Sequence, residues 1–187
     1  MAVPIQKGFL TIDEFKRAWE DGAFPPDARL ELIRGEIVEM TPIGNPHAGS
    51  VRRLTRGFSS RLSSHAVVDV QNPISLGAQK SLPQPDLCLL RLREDFYSTS
   101  TPTPADVLLV VEVADSTLAY DRNVKIPLYA EAGIPEAWLV ALSSDTIFAY
   151  RRPFRGKYQD VRAYRRGESI SPEAFPDTLF AVDEILG

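Results

Sequence analysis

The 187-residue chain is 44% hydrophobic and carries a formal net charge of −4, enough apolar material for one core and no basic excess of the kind a nucleic-acid coat protein needs. Its lone cysteine, Cys88, excludes an intrachain disulfide and a multi-cysteine zinc site. No apolar run is long enough to span a bilayer, and Met1 to Lys7 lacks an apolar signal region, so a cytoplasmic single domain over residues 1–187 with no membrane partner is expected.

The elements follow in order. Thr11 and Glu14 form a capping box that starts a helix over residues 12–20, with Leu10, Phe15 and Trp19 as its apolar stripe. Leu30 to Met40 alternates on both sides of Arg34-Gly35, the pattern of a tight hairpin. Asn45-Pro46 reads as an N-cap followed by a first-turn proline. Val51, Leu54, Phe58 and Leu62 then recur at helical spacing over residues 46–63, with Arg52, Arg53 and Arg56 on the opposite face and His47 in the first turn. Strands are expected over residues 66–70, 74–77 and 87–90, followed by a polar loop over residues 94–105. A hairpin over residues 146–151 and 158–164 turns at Arg155-Gly156, and Ser171-Pro-Glu carries a helix-start signal before a short tail.

Residues 107–140 organise the chain. Val107 to Val113 is a doubly covered strand, interrupted by one carboxylate, Glu112. A lone carboxylate in such surroundings costs several kcal/mol unless it is paired or binds a cation. A helix over residues 121–132, ended by Gly133 as C′ residue, leads to a second apolar strand over residues 137–141. Strand, helix, strand is a crossover unit, and with the hairpins it predicts an α+β fold: a mixed central sheet flanked by helices, preceded by an amino-terminal helix and hairpin.

Two acids therefore stand at the ends of apolar strands, Asp86 before Leu87-Cys-Leu-Leu and Glu112 at the close of its own. Two carboxylates sharing a site repel unless a divalent cation neutralises them, and hard oxygen donors favour Mg²⁺ or Mn²⁺ over zinc. Lys125 on the following helix completes a set suited to phosphodiester chemistry, in which a metal polarises the phosphate and an ammonium orients water or stabilises charge. The plainer roles are a turn cap for Asp86, a solvated position for Lys125 and His47, and packing for Tyr129 and Cys88. Neither a Gly-rich phosphate loop nor a Gly-x-Ser-x-Gly elbow occurs.

Pro85-Asp86, Val111-Glu112-Val113, Ser116-Thr117, Asp121, Lys125, Tyr129, Gly133 and Glu136-Ala-Trp138-Leu-Val, following Glu31-Leu-Ile-Arg-Gly35-Glu-Ile-Val-Glu-Met40 and His47, resemble the Uma-two family within the PD-(D/E)XK nuclease superfamily. The resemblance runs over about residues 11–185. It implies a restriction-endonuclease-like fold and a metal-dependent endonuclease acting on DNA. Asp86 and Glu112 would be its metal ligands, Lys125 its third catalytic residue, and Glu31 and His47 supporting residues. The superfamily's simple pattern has lysine two positions after the second acid; that position is Ala114 here, and the resemblance implies a lysine moved onto the following helix, which matches Lys125. Glu136-Ala-Trp departs from the family's usual Glu-Tyr-Trp.

The basic islands, Arg52, Arg53 and Arg56 on one helix and a second group over residues 151–166, are candidate contacts to DNA. A homodimer suits the cutting of two strands. The alternatives are a catalytically weak nucleic-acid-binding module that keeps the nuclease fold and a partner-binding protein.

Overall fold

The computed structural model describes residues 9–40, 42 and 44–187; the amino-terminal signal question lies outside them. Helix α1 (Ile12–Glu20) begins at the expected capping box, with Thr11 accepting from Glu14 N and Glu14 accepting from Thr11 N. Phe15 is buried, whereas Trp19 stays 42% exposed and leans on Phe15 and Phe24. Strands β1 (Leu30–Ile33) and β2 (Glu36–Glu39) pair around Arg34-Gly35, both at positive φ (53° and 82°), as a two-residue hairpin turn requires.

Helix α2 (Asn45–Leu62) starts one residue early. Gly44, not Asn45, is the N-cap, and no side chain caps the helix. Its Val51, Leu54, Phe58 and Leu62 face the core. The main sheet then assembles from β3 (Ala66–Asp69), β4 (Leu87–Arg91), β5 (Val107–Ala114), β6 (Glu136–Ala141), β7 (Thr146–Phe154) and β8 (Lys157–Arg165), in that spatial order. Only β5 and β6 pair in parallel, so the crossover unit lies at the centre of a mixed sheet. The expected strand over residues 74–77 reduces to one bridge, Leu76 to Ser81; Ile74 and Leu76 are buried but lack a continuous partner. The segment after Ser171 forms no helix there. Instead β9 (Ser169–Ile170) pairs with β10 (Phe180–Ala181), and a late helix, α5 (Val182–Leu186), closes the chain.

The crossover passes through α3 (Leu118–Tyr120), a π-helical turn over Asp121–Lys125, and α4 (Ile126–Glu131). The π turn has a covalent cause. Pro127 has no N–H to give to the carbonyl four residues back, and the Ile126 N–H reaches five residues back to Asp121 O. This widened turn presses both Asp121 and Lys125 into the interior. Gly133, at φ +78°, ends α4 as expected.

Helices α2 and α5 cover one face of the sheet, around Phe58, Trp138 and Phe180. The π turn and α4 cover the other, around Cys88, Val110, Tyr129 and Leu139. Period-two alternation puts Asp86 with Cys88 and Glu112 with Val110, so both acids point to the α4 face. The β1–β2 hairpin and α1 carry a third apolar cluster beside that face.

Candidate active site

The register of β4 against β5 sets the first relationship. Leu87 stands opposite Val111, so Asp86 falls one step on, opposite Glu112. Asp86 is held from three sides. Its Oδ2 accepts from Val113 N at 2.9 Å and lies 2.9 Å from His47 Nε2, while its Oδ1 accepts from Gln71 Nε2 at 3.2 Å. Burial pushes this carboxyl up, but the bonds from His47 and Val113 outweigh it, and Asp86 lies below its ordinary value. With Asp86 ionised, His47 donates through Nε2, leaving Nδ1 buried and without a partner among the described residues.

Lys125 completes the second relationship. Its Nζ lies 2.9 Å from Glu112 Oε1 and 2.9 Å from Glu31 Oε1, with all three side chains at most 5% exposed. Glu31 reaches the site from β1, where its Oε1 also accepts from Gln84 N at 2.7 Å. Tyr129 OH donates to Glu112 Oε1, so this residue packs in the core and also orients the carboxylate. Asp121, buried at 5% exposure, accepts from Thr117 Oγ1 at 2.6 Å.

Four carboxylates thus surround one ammonium. Burial opposes the charge on Lys125, but Glu112, Glu31 and Asp121 together hold it well above its ordinary value. Burial also drives Glu112 well up, opposed by Lys125 and reinforced by Asp121 and Asp86, and it raises Asp121. The directions are compatible, because Lys125 alone cannot neutralise the acids around it. Tyr120 is pushed up to about 12, mainly by burial and then by Glu31.

Glu31, His47, Asp86, Glu112, Tyr120, Asp121 and Lys125 line a cavity of about 600 Å³. Glu112 Oε1 is occupied by Lys125 and Tyr129, while Oε2 accepts no bond among the described residues. No group of three or more His, Cys, Asp or Glu side chains among the described residues forms a ready metal cage. A cation shared by Asp86 and Glu112 would therefore complete its shell with water or substrate oxygens, which suits Mg²⁺ and Mn²⁺ better than a softer ion.

Of the residues singled out in the sequence, Asp86, Glu112, Lys125, Glu31 and His47 meet at this cavity. The arginines of α2 do not. Arg52 and Arg56 are exposed on the helix, but Arg53 turns to the carboxyl end, where its Nε and a terminal nitrogen donate to the carbonyls of Ile185 and Leu186. Four residues of the site went unassigned from sequence: Arg29, Gln71, Tyr120 and Asp121. Asp121 belonged to the recognised signature and could have been found there. Gln71 and Tyr120 gave no signal beyond their residue type.

A mixed sheet bearing an Asp and a Glu at the ends of neighbouring strands, with a lysine laid over them from the crossover, defines a restriction-endonuclease-like α+β protein. The Uma2 family model, described as "Putative restriction endonuclease", matches residues 12–183, and the chain belongs to that family. No curated protein matches it. Among solved structures, a "putative nuclease belonging to DUF820" from Anabaena variabilis is similar at TM-score 0.73 and 17% identity, over 95% of this chain and 97% of that one, which shows a shared fold. No helix among the described residues is long and apolar enough to cross a membrane.

Proposed function

We propose that the protein is a metal-dependent endonuclease hydrolysing phosphodiester bonds of DNA in the cytoplasm, with Asp86 and Glu112 holding one Mg²⁺ or Mn²⁺ and Lys125 acting beside them. One observation carries this reading. A buried ammonium bridges Glu31 and Glu112 next to an independently oriented Asp86, at the wall of an open cavity. A purely structural ion pair would not need a surplus of buried carboxylates, because unneutralised charge of that kind costs several kcal/mol. A divalent cation held by Asp86 and Glu112 would relieve that surplus, and family membership agrees with the chemistry.

The roles follow from position. Asp86 is oriented by His47, Gln71 and Val113 N to present an ionised carboxylate. Glu112 is held by Lys125 and Tyr129 through one oxygen, leaving the other without a bond among the described residues. When bound, the cation would supply Lewis-acid polarisation of the phosphate and a water of lowered pKa. Lys125, held charged by two carboxylates, is poorly placed to accept a proton. It fits instead as a fixed positive charge stabilising what builds up on phosphorus oxygens. Glu31 keeps that ammonium in place. A homodimer would supply the second active centre for a double-strand cut.

The test is nicking of supercoiled plasmid DNA by the purified chain in Mn²⁺ or Mg²⁺, against EDTA and against Asp86→Asn and Glu112→Gln. Metal-dependent nicking that both substitutions abolish supports the reading. DNA binding without nicking in either metal favours a binding module with the nuclease fold.

A further inference from the structure

The cavity that holds Asp86 and Glu112 is acidic. Its wall also includes Glu39, Asp115 and Asp121, yet a nucleic acid must place a phosphate there. Lys125 alone does not offset this, because its single charge is shared with Glu31 and Glu112 at 2.9 Å each and further acids remain in the lining. Two other donors line the same cavity with their hydrogen-bonding capacity unspent. Arg29 is half-buried, and its guanidinium makes no ion pair or hydrogen bond among the described residues. Tyr120 has a buried hydroxyl without a partner among the described residues.

The backbone explains why Arg29 lies there. Met40 N donates to Arg29 O at 2.8 Å, extending the β1–β2 ladder by one step. Arg29 and Glu31 therefore alternate to the same side of the hairpin, the side facing the cavity. Tyr120 lines the same cavity from α3, on the turn of helix just before the π turn. Its surroundings are charged: Glu31, Lys125, Asp121 and Glu112 all act on it. None of these carboxylates accepts its proton, although an unpaired buried hydroxyl costs free energy that an acceptor would recover.

We infer that Arg29 and Tyr120 form a phosphate subsite, gripping the non-bridging oxygens of a nucleic-acid phosphate that enters this cavity. A guanidinium presents a planar fork of donors matched to two phosphate oxygens, and a phenol, protonated at neutral pH, supplies one more. The subsite would hold the phosphate beside the two acids while Lys125 remains bound to its carboxylates. It deepens the nuclease reading and rests on it for the identity of the ligand. The roles are those of substrate-binding residues.

The test uses the full chain labelled with ¹³Cζ-tyrosine and titrated with thymidine 5′-monophosphate, with thymidine as the base-only control. The Tyr120 resonance is identified by its loss in Tyr120→Phe. It should move on titration with the monophosphate and stay still with thymidine. Arg29→Gln should weaken monophosphate binding on the order of tenfold to a hundredfold. Arg29→Lys, which keeps charge but loses the fork, should fall between. Arg17→Ala, exposed on α1 and outside the cavity lining, should bind as the parent does. An unmoved Tyr120 resonance, equal binding of thymidine, or parent-like affinity in both Arg29 variants overturns the subsite. Thermal unfolding of each variant guards against a folding defect, and Arg29→Lys keeps the test open if Arg29→Gln fails to fold. Plasmid nicking by the same preparations separates the two readings. Phosphate gripped without nicking leaves the subsite and removes the nuclease; nicking with no effect at Arg29 or Tyr120 does the reverse.

Discussion

The Lys125 ammonium lies 2.9 Å from the Glu112 carboxylate, although a loop, a short helix and a π-helical turn separate them along the chain. Removing this side chain leaves two buried carboxylates facing each other. Lys125→Ala should therefore destabilise the metal-free protein by about 3–5 kcal/mol, the usual consequence of breaking one side of a buried pair. It should also slow nicking by about 10²–10³-fold, as expected for loss of one electrostatic stabiliser. Lys125→Arg should restore little, because a planar fork does not fit between two carboxylate oxygens that each meet one nitrogen. Urea unfolding and single-turnover nicking check the two halves separately.

Metal binding should depend on pH in a defined direction. Burial holds the Glu112 carboxyl well above its ordinary value near 4.5. The folded state thus binds this proton more tightly than the unfolded chain. Its ionisation costs stability as pH rises from the ordinary value through the raised one. A divalent cation needs the ionised form, so it should stabilise the protein more at pH 8 than at pH 5.5 and release a proton on binding. Thermal unfolding with and without Mn²⁺ at both pH values checks the direction. Calorimetry in two buffers of different ionisation enthalpy counts the proton.

The α2 arginines should separate into two kinds. Arg56 is exposed and free to meet DNA, so Arg56→Ala should flatten the salt dependence of DNA binding by about one unit without changing stability. Arg53 instead anchors the carbonyls of Ile185 and Leu186, so Arg53→Ala should lower stability by about 1–3 kcal/mol through the lost charge-assisted bonds and leave the slope unchanged. A salt series on both variants, with unfolding curves, decides between a DNA-facing and a tail-holding role.

Away from the cavity, Glu136 is wholly buried on β6 and accepts from Trp138 Nε1, Arg151 Nε and Glu173 N. It ties the segment after β9 to the sheet. Glu136→Ala should cost about 3–5 kcal/mol of stability, since it strands Arg151 and two further donors. Unfolding by urea measures it, and metal binding per folded molecule should stay at the parent level.

Much of this arrangement was legible along the chain because local rules agreed with tertiary ones. Arg34-Gly35 and Arg155-Gly156 announced their hairpins through turn chemistry, and the apolar run broken by Glu112 announced a buried strand with a charge to satisfy. Lys125 was harder. Its approach to Glu112 depends on a π turn that Pro127 makes favourable, and hydrophobic periodicity carries no sign of a single added residue per turn. Asn45 as cap failed because Gly44 can take the extended cap conformation one step earlier. Residues 74–77 read as a strand because Ile74 and Leu76 are buried, and burial alone does not supply a hydrogen-bonded partner. The role of Arg53 was hidden because its partners, Ile185 and Leu186, lie at the far end of the chain, and that of Glu136 because Arg151 and Glu173 reach it from later elements; no local pattern encodes contacts of that range.

Whether Asp86 and Glu112 share one divalent cation can be read from anomalous diffraction by Mn²⁺-soaked crystals. One manganese peak is expected within coordination distance of carboxylate oxygens from both residues, with water filling the remaining positions and Lys125 still beside Glu31. Manganese absent from this cavity at saturating concentration, or bound to one of the two acids without the other, would contradict it.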